Sequence, residues 1–512
     1  MAELTDRPFP PGTYPVIVVG SGPGGIQVSY SLSRFGVEHA VLSADDEPGG
    51  MFRRWPFFQR LLSWTKPYAP VPRLDPAYER YDWNSLLANE DRHRAIMPAF
   101  MDGTSYFPSR PEMQANLEAF ADRTKLRARY GVRWTGTRRE PAADVDTFVV
   151  ETTDGEYRTG ALVIAVGIAE PYAPQTPGIE LAAHYADTQP AEAYADKRVF
   201  IIGKQNSGFE LATGLLPWAR RIIVASPSPT KLSVNTRSLV GVRARYVQPI
   251  EDHVLGGGVA VLDTAIQGIE RLPGGALQVR ARPTAGGDEL AFEVDSVIAA
   301  TGFVAPLLDL PELGVSTFGQ SRLPAQTPYW ESASVPGIYF AGTISQGSGG
   351  LKKHGLPANS GAVHGARYNA RLLARHLAAT RFSVPAALER PGIAPEELIE
   401  TLANHLTVSP ELWHQRAYLA RVVSLDPTEG PRDEGLVPLE AFVDAGGDDG
   451  TGDAVALTLE ADGSGAIYPV VYVRRDGKLE EHTFEPDILL RYDTPDVRRR
   501  LAEIVGSGVT AG

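Results

Sequence analysis

Short apolar runs followed by helical patterns organise the first three quarters of the chain. Residues 15–20 form a β-branched run typical of a buried parallel strand, and a helical pattern follows. A second strand is predicted at His39–Leu42. The same order of apolar run, glycine and helical segment returns at residues 199–212. This alternation predicts an α/β fold with two strand–turn–helix units.

The last quarter follows a different pattern. Residues 394–425 predict two short helices. Apolar and polar positions then alternate, which predicts strands at residues 454–460, 467–474 and 479–484 with glycine-containing hairpin turns between them. We therefore expect a small α+β extension. The sequence leaves open whether this extension caps an active site or makes a dimer contact.

Composition removes several classes of function. The 512 residues carry a net charge of −13, which argues against a nucleic-acid surface and against docking on an anionic membrane. No apolar run approaches the roughly 18 residues that a membrane span needs. The N-terminal segment lacks the basic start and apolar stretch of a secretion signal, so a cytoplasmic location is expected.

The chain has no cysteine. A CxxC redox centre, a thiol nucleophile and thiolate zinc sites are therefore excluded. The 10 histidines are scattered without close ligand spacing, so no metal is expected.

The clearest motif is a GxGxxG turn between the first strand and the first helix. Gly20 permits the tight turn, Gly22 lets the backbone approach a pyrophosphate, and Gly25 lets the helix pack closely on the strand. A glycine-rich turn without a ligand is the alternative. The order of strand, helix and second strand favours binding. The candidate residues are Gly20, Ser21, Gly22, Pro23, Gly24 and Gly25.

The position after the second strand normally carries an acid that holds the ribose hydroxyls. Ser43 occupies this place, and the acids Asp45, Asp46 and Glu47 follow it. The ribose contact is therefore either displaced or made by a hydroxyl group.

The "GSGPGG" turn and the "GGMF" segment after it resemble the FAD site of flavoproteins with two dinucleotide-binding domains. The resemblance implies that Gly49, Gly50 and Phe52 lie along the FAD pyrophosphate and ribityl chain. It places Val132 near the adenine. The "GIYFAGT" segment resembles the closing strand of the family and implicates Gly342 and Thr343.

The second glycine turn resembles the NADPH site of class B flavin monooxygenases, which carry GxGxSG. Gly203, Ser207 and Gly208 match that pattern, but Gln205 stands in place of the middle glycine. Either Asn206 and Ser207 bind the phosphates at the helix N-terminus, or the domain is vestigial and kept for packing. The matching positions favour binding.

The strand after this helix indicates which nicotinamide cofactor is used. No acid follows Val224, whereas Ser226 and Lys231 do, and such residues accommodate a 2′-phosphate that an acid would repel. Further cations lie along the chain at Arg237, Arg243 and Arg245. NADPH is therefore favoured over NADH.

The resemblance implies a split FAD domain with an inserted NADPH domain. We assign residues 1–178 and 304–390 to the FAD domain, residues 179–303 to the insertion and residues 391–512 to the extension. The segments "DWNSLL", "GGLKKHG" and "HGARYNAR" are similar to those of the endoplasmic reticulum flavoprotein associated with degradation and its bacterial relatives.

Candidate catalytic groups follow from this resemblance. A helix beginning near residues 358–360 should point its N-terminus at the flavin and stabilise the anion of the reduced ring. Lys66, Lys352 and His354 are the candidates for holding an anion beside it, with Arg53 and Arg54 as rival cations. Four aromatic residues are expected to be core: Trp55, Phe57, Phe58 and Trp64.

Without cysteines, reduced flavin must pass its electrons directly to a small acceptor. With molecular oxygen it can form a C4a-(hydro)peroxyflavin that oxygenates a small organic substrate if water is excluded. Heteroatom oxygenation or hydroxylation is favoured over Baeyer–Villiger oxidation, because the fingerprint before the second turn is out of register. Alternatives are an NAD(P)H-dependent reductase or oxidase, and a flavin-holding scaffold with a degenerate nicotinamide site. Homo-oligomerisation is left open.

Overall fold

The computed structural model describes residues 7–55, 60–141, 146–236, 241–246, 248–256, 258–445 and 452–506. Three residues named from the sequence, Phe57, Phe58 and Arg237, fall outside these ranges. The described chain is an α/β protein with two Rossmann-like units and an α+β extension.

The regular elements of residues 7–299 fall into two groups. Residues 7–182 contain β1 (Val16–Val19), α1 (Pro23–Arg34), β2 (His39–Leu42), α2 (Met51–Arg54), α3 (Arg110–Arg123), β3 (Trp134–Glu140), β4 (Thr147–Thr152), β5 (Gly155–Thr159), β6 (Ala161–Ile164) and β7 (Glu170–Pro171). Residues 183–299 contain β8 (Ala183–His184), β9 (Arg198–Ile202), α4 (Asn206–Leu215), β10 (Arg221–Ser226), α5 (Ser233–Thr236), α6 (Gln248–Leu255), β11 (Val259–Arg271), β12 (Leu277–Pro283), β13 (Leu290–Val294) and β14 (Ser296–Ala299).

The remaining elements also form two groups. Residues 300–390 contain β15 (Phe303–Val304), β16 (Thr317–Phe318), β17 (Leu323–Pro324), β18 (Ile338–Phe340), α7 (Val363–Thr380) and α8 (Pro385–Leu388). Residues 391–506 contain α9 (Leu398–Val408), α10 (Pro410–His414), β19 (Leu419–Asp426), β20 (Gly430–Pro438), α11 (Leu439–Asp444), β21 (Ala454–Ala461), β22 (Ile467–Arg475), β23 (Lys478–Thr483) and α12 (Pro495–Gly506).

A parallel sheet in the order β18–β6–β1–β2 forms the centre of the first unit. Its β1 strand, VIVV, is buried on both faces, as expected for a strand covered by helices. Register pairs Val19 with both Leu42 and Ile164, so the strands end at one edge. The chain leaves this sheet after β6 and returns to pair β18 beside it.

The second unit is a seven-stranded sheet in the order β13–β12–β11–β10–β9–β14–β8. The strands from β11 to β8 are parallel, and the long β11 continues into an antiparallel ladder with β12 and β13. All of its strands come from the chain between β7 and β15, which places this sheet as an insertion between the strands of the first.

The C-terminal extension contains an antiparallel sheet in the order β20–β19–β21–β22–β23. The predicted strands at residues 454–460, 467–474 and 479–484 correspond to β21, β22 and β23. The prediction of helix through residue 425 is wrong, because residues 419–426 form β19 between β20 and β21. The β-branched pair Val422–Val423 suits this strand, and its pairing partners lie later in the sequence.

The extension shares the core of the first unit. Tyr418 and Leu419 are buried in the cluster that also holds residues of β1, β6 and α7. Trp330 donates its indole N–H to the hydroxyl of Tyr418 at 2.9 Å. The extension is therefore packed into the fold. Among the described helices, none combines the length and apolarity needed to cross a bilayer.

Candidate functional site

A cavity of about 730 Å³ lies at the carboxyl ends of β1, β2, β6 and β18. Parallel strands that end together leave a crevice at this edge, where α/β proteins bind their ligands. Its volume is within the range of cofactor sites. Of the residues predicted to bind FAD, the lining includes Gly20, Ser21, Gly22, Pro23, Gly24, Ser43, Gly50, Phe52, Val132, Gly342 and Thr343.

The glycines of the first turn have different physical roles. A Cβ on Gly25 would lie 1.9 Å from the carbonyl oxygen of Gly20, and one on Gly24 would lie 2.4 Å from Cα of Gly342. These glycines allow backbone to touch backbone. A Cβ on Gly22 would meet nothing within 4 Å. Its φ of −74° suits any residue, so the structure leaves open space beside Gly22 at the position where the sequence predicts a pyrophosphate.

Two buried hydroxyl groups lie where the sequence predicts the ribose contact. The Oγ atoms of Ser21 and Ser43 are 2.7 Å apart, and Ser43 Oγ also accepts a hydrogen bond from the backbone N–H of Asp45. The carbonyl of Ser43 accepts from the N–H of Val132, which brings Val132 to the same end of the cavity. The hydroxyl alternative for the ribose contact therefore has matching geometry.

The second glycine pair packs against the first turn. The N–H of Gly49 donates to the carbonyl of Ser21 at 2.9 Å. A Cβ on Gly50 would lie 3.1 Å from Cα of Gly22. Gly49 does not line the cavity, and its φ of +129° favours glycine. Phe52 is nearly buried and forms part of the wall.

A buried polar network supports the segment before α7. Gln415 of the extension accepts from the N–H of Asn359 at 2.9 Å, and its amide donates to Ser360 at 3.1 Å and to Asn369 at 2.7 Å. Asn369 also donates to Ser345 and Ser360. The helix begins at Val363, after a 3₁₀ turn at Asn359–Gly361, so its predicted start lay a few residues early. The extension thus fixes the backbone that borders the cavity.

The three predicted catalytic residues lie at the surface. Lys66, Lys352 and His354 are exposed and do not line the cavity. Lys352 and His354 adopt left-handed backbone conformations, with φ of 50° and 55°, and the ring Nε2 of His354 is 2.8 Å from the hydroxyl of Tyr468. This placement does not support the expectation that they hold an anion beside the flavin.

Lys353 lines the cavity, but its charge is already neutralised. Its ammonium donates to Glu460 at 3.0 Å, Tyr472 at 2.8 Å and Glu481 at 2.6 Å. Burial alone would lower the pKa of Lys353, yet these hydrogen bonds raise it, so the lysine stays charged. Lys353 therefore fastens the glycine-rich loop onto the C-terminal sheet.

Two buried histidines lie behind the cavity wall. The ring of His364 is 4.2 Å from that of Trp83 and 5.1 Å from that of His414. Neither nitrogen of His364 has a hydrogen-bond partner among the described residues. Burial, together with Arg367 and Arg416 nearby, holds the pKa of His364 well below its usual range, and burial does the same for His414. Both rings are therefore neutral.

The second glycine turn has the backbone geometry of a dinucleotide site. A Cβ on Gly208 would lie 2.1 Å from the carbonyl oxygen of Gly203, and one on Gly203 would lie 2.3 Å from that of Ala300. Gln205 precedes α4 with an exposed side chain and makes no side-chain cap. Ser207 is partly buried in the first turn of α4. Gln205 therefore does not block the turn from within.

The side chain of Asn206 binds the backbone of residues 241–243, a contact that the sequence did not indicate. Its amide donates to the carbonyl of Gly241 at 3.1 Å and accepts from the N–H of Arg243 at 3.0 Å. Arg243 in turn donates to the carbonyl of Leu62, a cavity-lining residue. The side chain of Asn206 thus connects the second turn to the wall of the first cavity.

Although no acid follows β10 in the sequence, the neighbouring strand β11 places Asp263 beside its end. Ser226, at the end of β10, is in register with Asp263 of β11. Asp263 is ion-paired with Lys204, which follows Gly203 and is almost fully buried. Its charge is therefore balanced. Lys231 is exposed nearby in the chain. Sequence spacing could not reveal Asp263, because it comes from a later strand.

Trp55 and Phe303 form an aromatic contact between the first and second units. Trp55 is partly buried and stacks on Phe303 with ring centroids 4.6 Å apart. Within the described ranges, no group of three or more His, Asp or Glu side chains is arranged to hold a metal ion.

A family model described as pyridine nucleotide-disulphide oxidoreductase matches residues 17–342. The chain belongs to this family. Its members are flavoprotein oxidoreductases that bind FAD and NADP(H), and the fold and motifs place the chain with the flavoproteins that have two dinucleotide-binding domains. The matched residues include both glycine turns and end at Gly342.

Curated relatives extend the similarity. The FAD-dependent oxidoreductase domain-containing protein 2 of Mus musculus is 26% identical over 436 residues, covering 80% of this chain and 64% of the relative. That of Danio rerio is 32% identical over 234 residues, covering 44% and 33%. The chain thus spans less than two thirds of either relative. The probable indole-3-pyruvate monooxygenase YUCCA4 of Arabidopsis thaliana is 23% identical over 395 residues, covering 67% and 87%.

Solved structures share the fold. A flavin-containing monooxygenase from Stenotrophomonas maltophilia superposes with a TM-score of 0.52 at 21% identity, covering 72% of this chain and 99% of that one.

The glycine geometry predicts opposite outcomes for two neighbouring substitutions. We expect Gly22→Ala to fold with unchanged stability, since its Cβ meets nothing, but to lose FAD affinity because the methyl group occupies the phosphate space. We expect Gly25→Ala to lose about 3 kcal/mol of unfolding free energy, because its Cβ overlaps a backbone carbonyl. Urea unfolding of the apo proteins and flavin-fluorescence titration measure the two effects. Wild-type FAD affinity in Gly22→Ala would contradict this assignment.

The buried histidines predict acid sensitivity. Their pKa values are depressed in the folded protein, so the stability they contribute is present above about pH 6.5 and is lost as the pH falls and the unfolded chain takes up protons. Between pH 7.5 and pH 5 we expect the free energy of unfolding to fall by about 2 kcal/mol for each of these histidines. Urea unfolding at both pH values should show a smaller loss for His364→Phe, which keeps a ring against Trp83. The control His482→Gln, on the edge strand β23, should lose as much unfolding free energy between the two pH values as the wild type. An unchanged loss in His364→Phe would refute the role of His364.

Proposed function

We propose that the protein is an FAD-dependent, NADPH-consuming monooxygenase that uses molecular oxygen to oxygenate a small organic substrate. The observation that carries this proposal is the cavity at the carboxyl edge of the first sheet, with open space at Gly22. Bound FAD would supply a two-electron carrier that accepts hydride and reacts with oxygen.

The chain's own residues would hold and orient the cofactor. The N–H groups at the start of α1 face the phosphate space, and the hydroxyls of Ser21 and Ser43 suit the ribose. The segment before α7, fixed by Gln415, would present the positive end of that helix to the ring. Lys353 would hold the glycine-rich loop beside the cavity through its contact with Glu460.

The second turn would bind NADPH. Its support is the close backbone packing at Gly203 and Gly208 and the helix N-terminus at Asn206 and Ser207. The pairing of Asp263 with Lys204 reduces the repulsion that a free acid would exert on a 2′-phosphate. Ser226 and Lys231 remain the proposed phosphate contacts.

The absence of cysteine favours a small terminal acceptor. Although the family is named for disulphide reductases, a chain without thiols cannot relay electrons through its own cysteine pair. Transfer to oxygen agrees with the named activity of the YUCCA4 relative, which is a monooxygenase. Heteroatom oxygenation or hydroxylation is proposed ahead of Baeyer–Villiger oxidation.

A second candidate function follows from the second turn. Gln205 departs from the glycine pattern, and the side chain of Asn206 is already engaged by the 241–243 loop. These observations favour a flavin-holding protein with a weak nicotinamide site, or a reductase or oxidase that passes electrons to a small acceptor.

Rapid mixing separates these functions. The purified FAD-loaded protein is mixed with NADPH or NADH without oxygen, and the flavin absorbance is followed. We expect NADPH to bleach the flavin at least about ten-fold faster than NADH at low concentration, because a phosphate contact contributes one or more charge-assisted hydrogen bonds. No bleaching by either dinucleotide would leave the scaffold as the function.

Subsequent mixing with oxygen distinguishes an oxygenase from an oxidase. A delay before the oxidised spectrum returns, with little hydrogen peroxide released, supports oxygenation. Immediate return with one equivalent of hydrogen peroxide for each NADPH would replace the monooxygenase assignment with an oxidase.

The missing glycine gives a sharper test of the second site. We expect Gln205→Gly to lower the KM for NADPH and leave the limiting rate of flavin reduction unchanged, since the change affects phosphate approach and not hydride transfer. Steady-state and single-turnover reduction rates measure this. The matched control, Gln278→Gly on β12, should not change the KM. A KM unaffected by Gln205→Gly would show that phosphates do not approach this turn.

A further inference from the structure

The cations that line the cavity differ in what neutralises them. The lining cations are Arg54, Arg133, Lys353, Arg367 and Arg416. Arg54 is ion-paired with Asp45 at 3.3 Å. Lys353 contacts two glutamates, as described above. Arg367 donates to the backbone carbonyls of Ser85 and Glu79, which consume its terminal nitrogens.

Arg416 has no such partner. Within the described ranges, no carboxylate lies within ion-pair distance of it and no hydrogen-bond acceptor contacts its guanidinium, which stacks on Trp413 at 4.9 Å. Among the described residues Arg133 has no ion pair either, but its side chain is exposed to solvent. Burial lowers the pKa of Arg416 only to about 10, so the group is charged at neutral pH.

The turn that carries Arg416 is held rigidly. Gln415, the preceding residue, is fully buried in the network that supports Asn359 and Ser360. Ala417, the following residue, has φ of +52° and donates its N–H to the carbonyl of Leu459 at 2.8 Å. This left-handed conformation is unfavourable for a residue other than glycine. The surrounding contacts hold the turn in this strained form and fix where Arg416 points.

Apolar residues also line the cavity that holds Arg416, among them Leu356, Pro357, Ala417 and Ala461. A cavity with an apolar part and a held cation that has no carboxylate partner suits a ligand with an apolar body and one negative charge. Unlike lysine, arginine binds a planar carboxylate through two parallel hydrogen bonds.

We propose that Arg416, supplied by the C-terminal extension, binds the carboxylate of the organic substrate. This rests on the proposed function, since it names the substrate class of the same cavity. The FAD phosphates are the other anions that enter this cavity. They have their own donors at the start of α1, where Gly24 meets Gly342, and Gln415 places Arg416 instead beside the segment that precedes α7. The substrate is therefore the occupant that needs Arg416.

Ligand binding to the oxidised FAD-loaded protein tests this without turnover. Benzoate and its neutral analogue benzamide are titrated separately, and the flavin absorption spectrum and calorimetry report affinity. We expect benzoate to bind at least about ten-fold more tightly than benzamide, the ratio that one charge-assisted contact provides. Arg416→Met should remove this preference by weakening benzoate alone. Arg416→Lys should retain part of it.

The matched control is Arg499→Met, which removes an exposed arginine of α12 in the same extension and should change neither affinity. Equal binding of benzoate and benzamide by the wild type would overturn the proposal, as would undiminished benzoate binding by Arg416→Met. Loss of FAD from Arg416→Met, with Arg499→Met still loaded, would assign Arg416 to the cofactor and also overturn it. None of these outcomes depends on NADPH, so a failure of the monooxygenase function remains distinguishable.

Discussion

The close approach of Gly24 to Gly342 is the contact on which the site depends. A side chain on Gly24 would overlap the backbone of Gly342, so the start of α1 and the residue after β18 touch without intervening atoms. These two segments are separated by the entire inserted sheet in the sequence. Their contact closes the first sheet into one crevice. The ribose hydroxyls, the phosphate space and the segment before α7 are all positioned from it.

The C-terminal extension is a second constraint, acting on the opposite wall. Through Gln415 it fixes the backbone ahead of α7, through Lys353 it anchors the glycine-rich loop, and through Arg416 it adds charge to the cavity. The same extension buries Tyr418 in the core of the first unit. Chemistry on this fold is thus shaped by a part of the chain that carries no dinucleotide-binding motif.

Local patterns were sufficient for the parts of the site that form locally. The strand, glycine turn and helix around Gly20–Gly25 could be predicted because each step depends on neighbouring residues. The positions of the cations around the cavity could not be predicted in this way. The loop sequence predicts Lys352 and His354 at the site, whereas the structure turns Lys353 towards the cavity, where Glu460 holds it, and leaves His354 at the surface beside Tyr468. Asp263 and Arg416 reach their positions through sheet register and a buried turn, which one-dimensional spacing does not encode.

The first sheet is built from strands on both sides of the insertion, so it cannot be completed until the inserted unit has been synthesised. Strand β6 pairs with β18, which is synthesised only after the inserted unit. One edge of β6 therefore stays unpaired while that unit is being made. Unpaired edges on a nascent chain invite non-native association. The inserted sheet draws its strands from one continuous segment and can fold first. Capture of flavin by the growing chain would then have to follow the synthesis of β18, after the inserted unit.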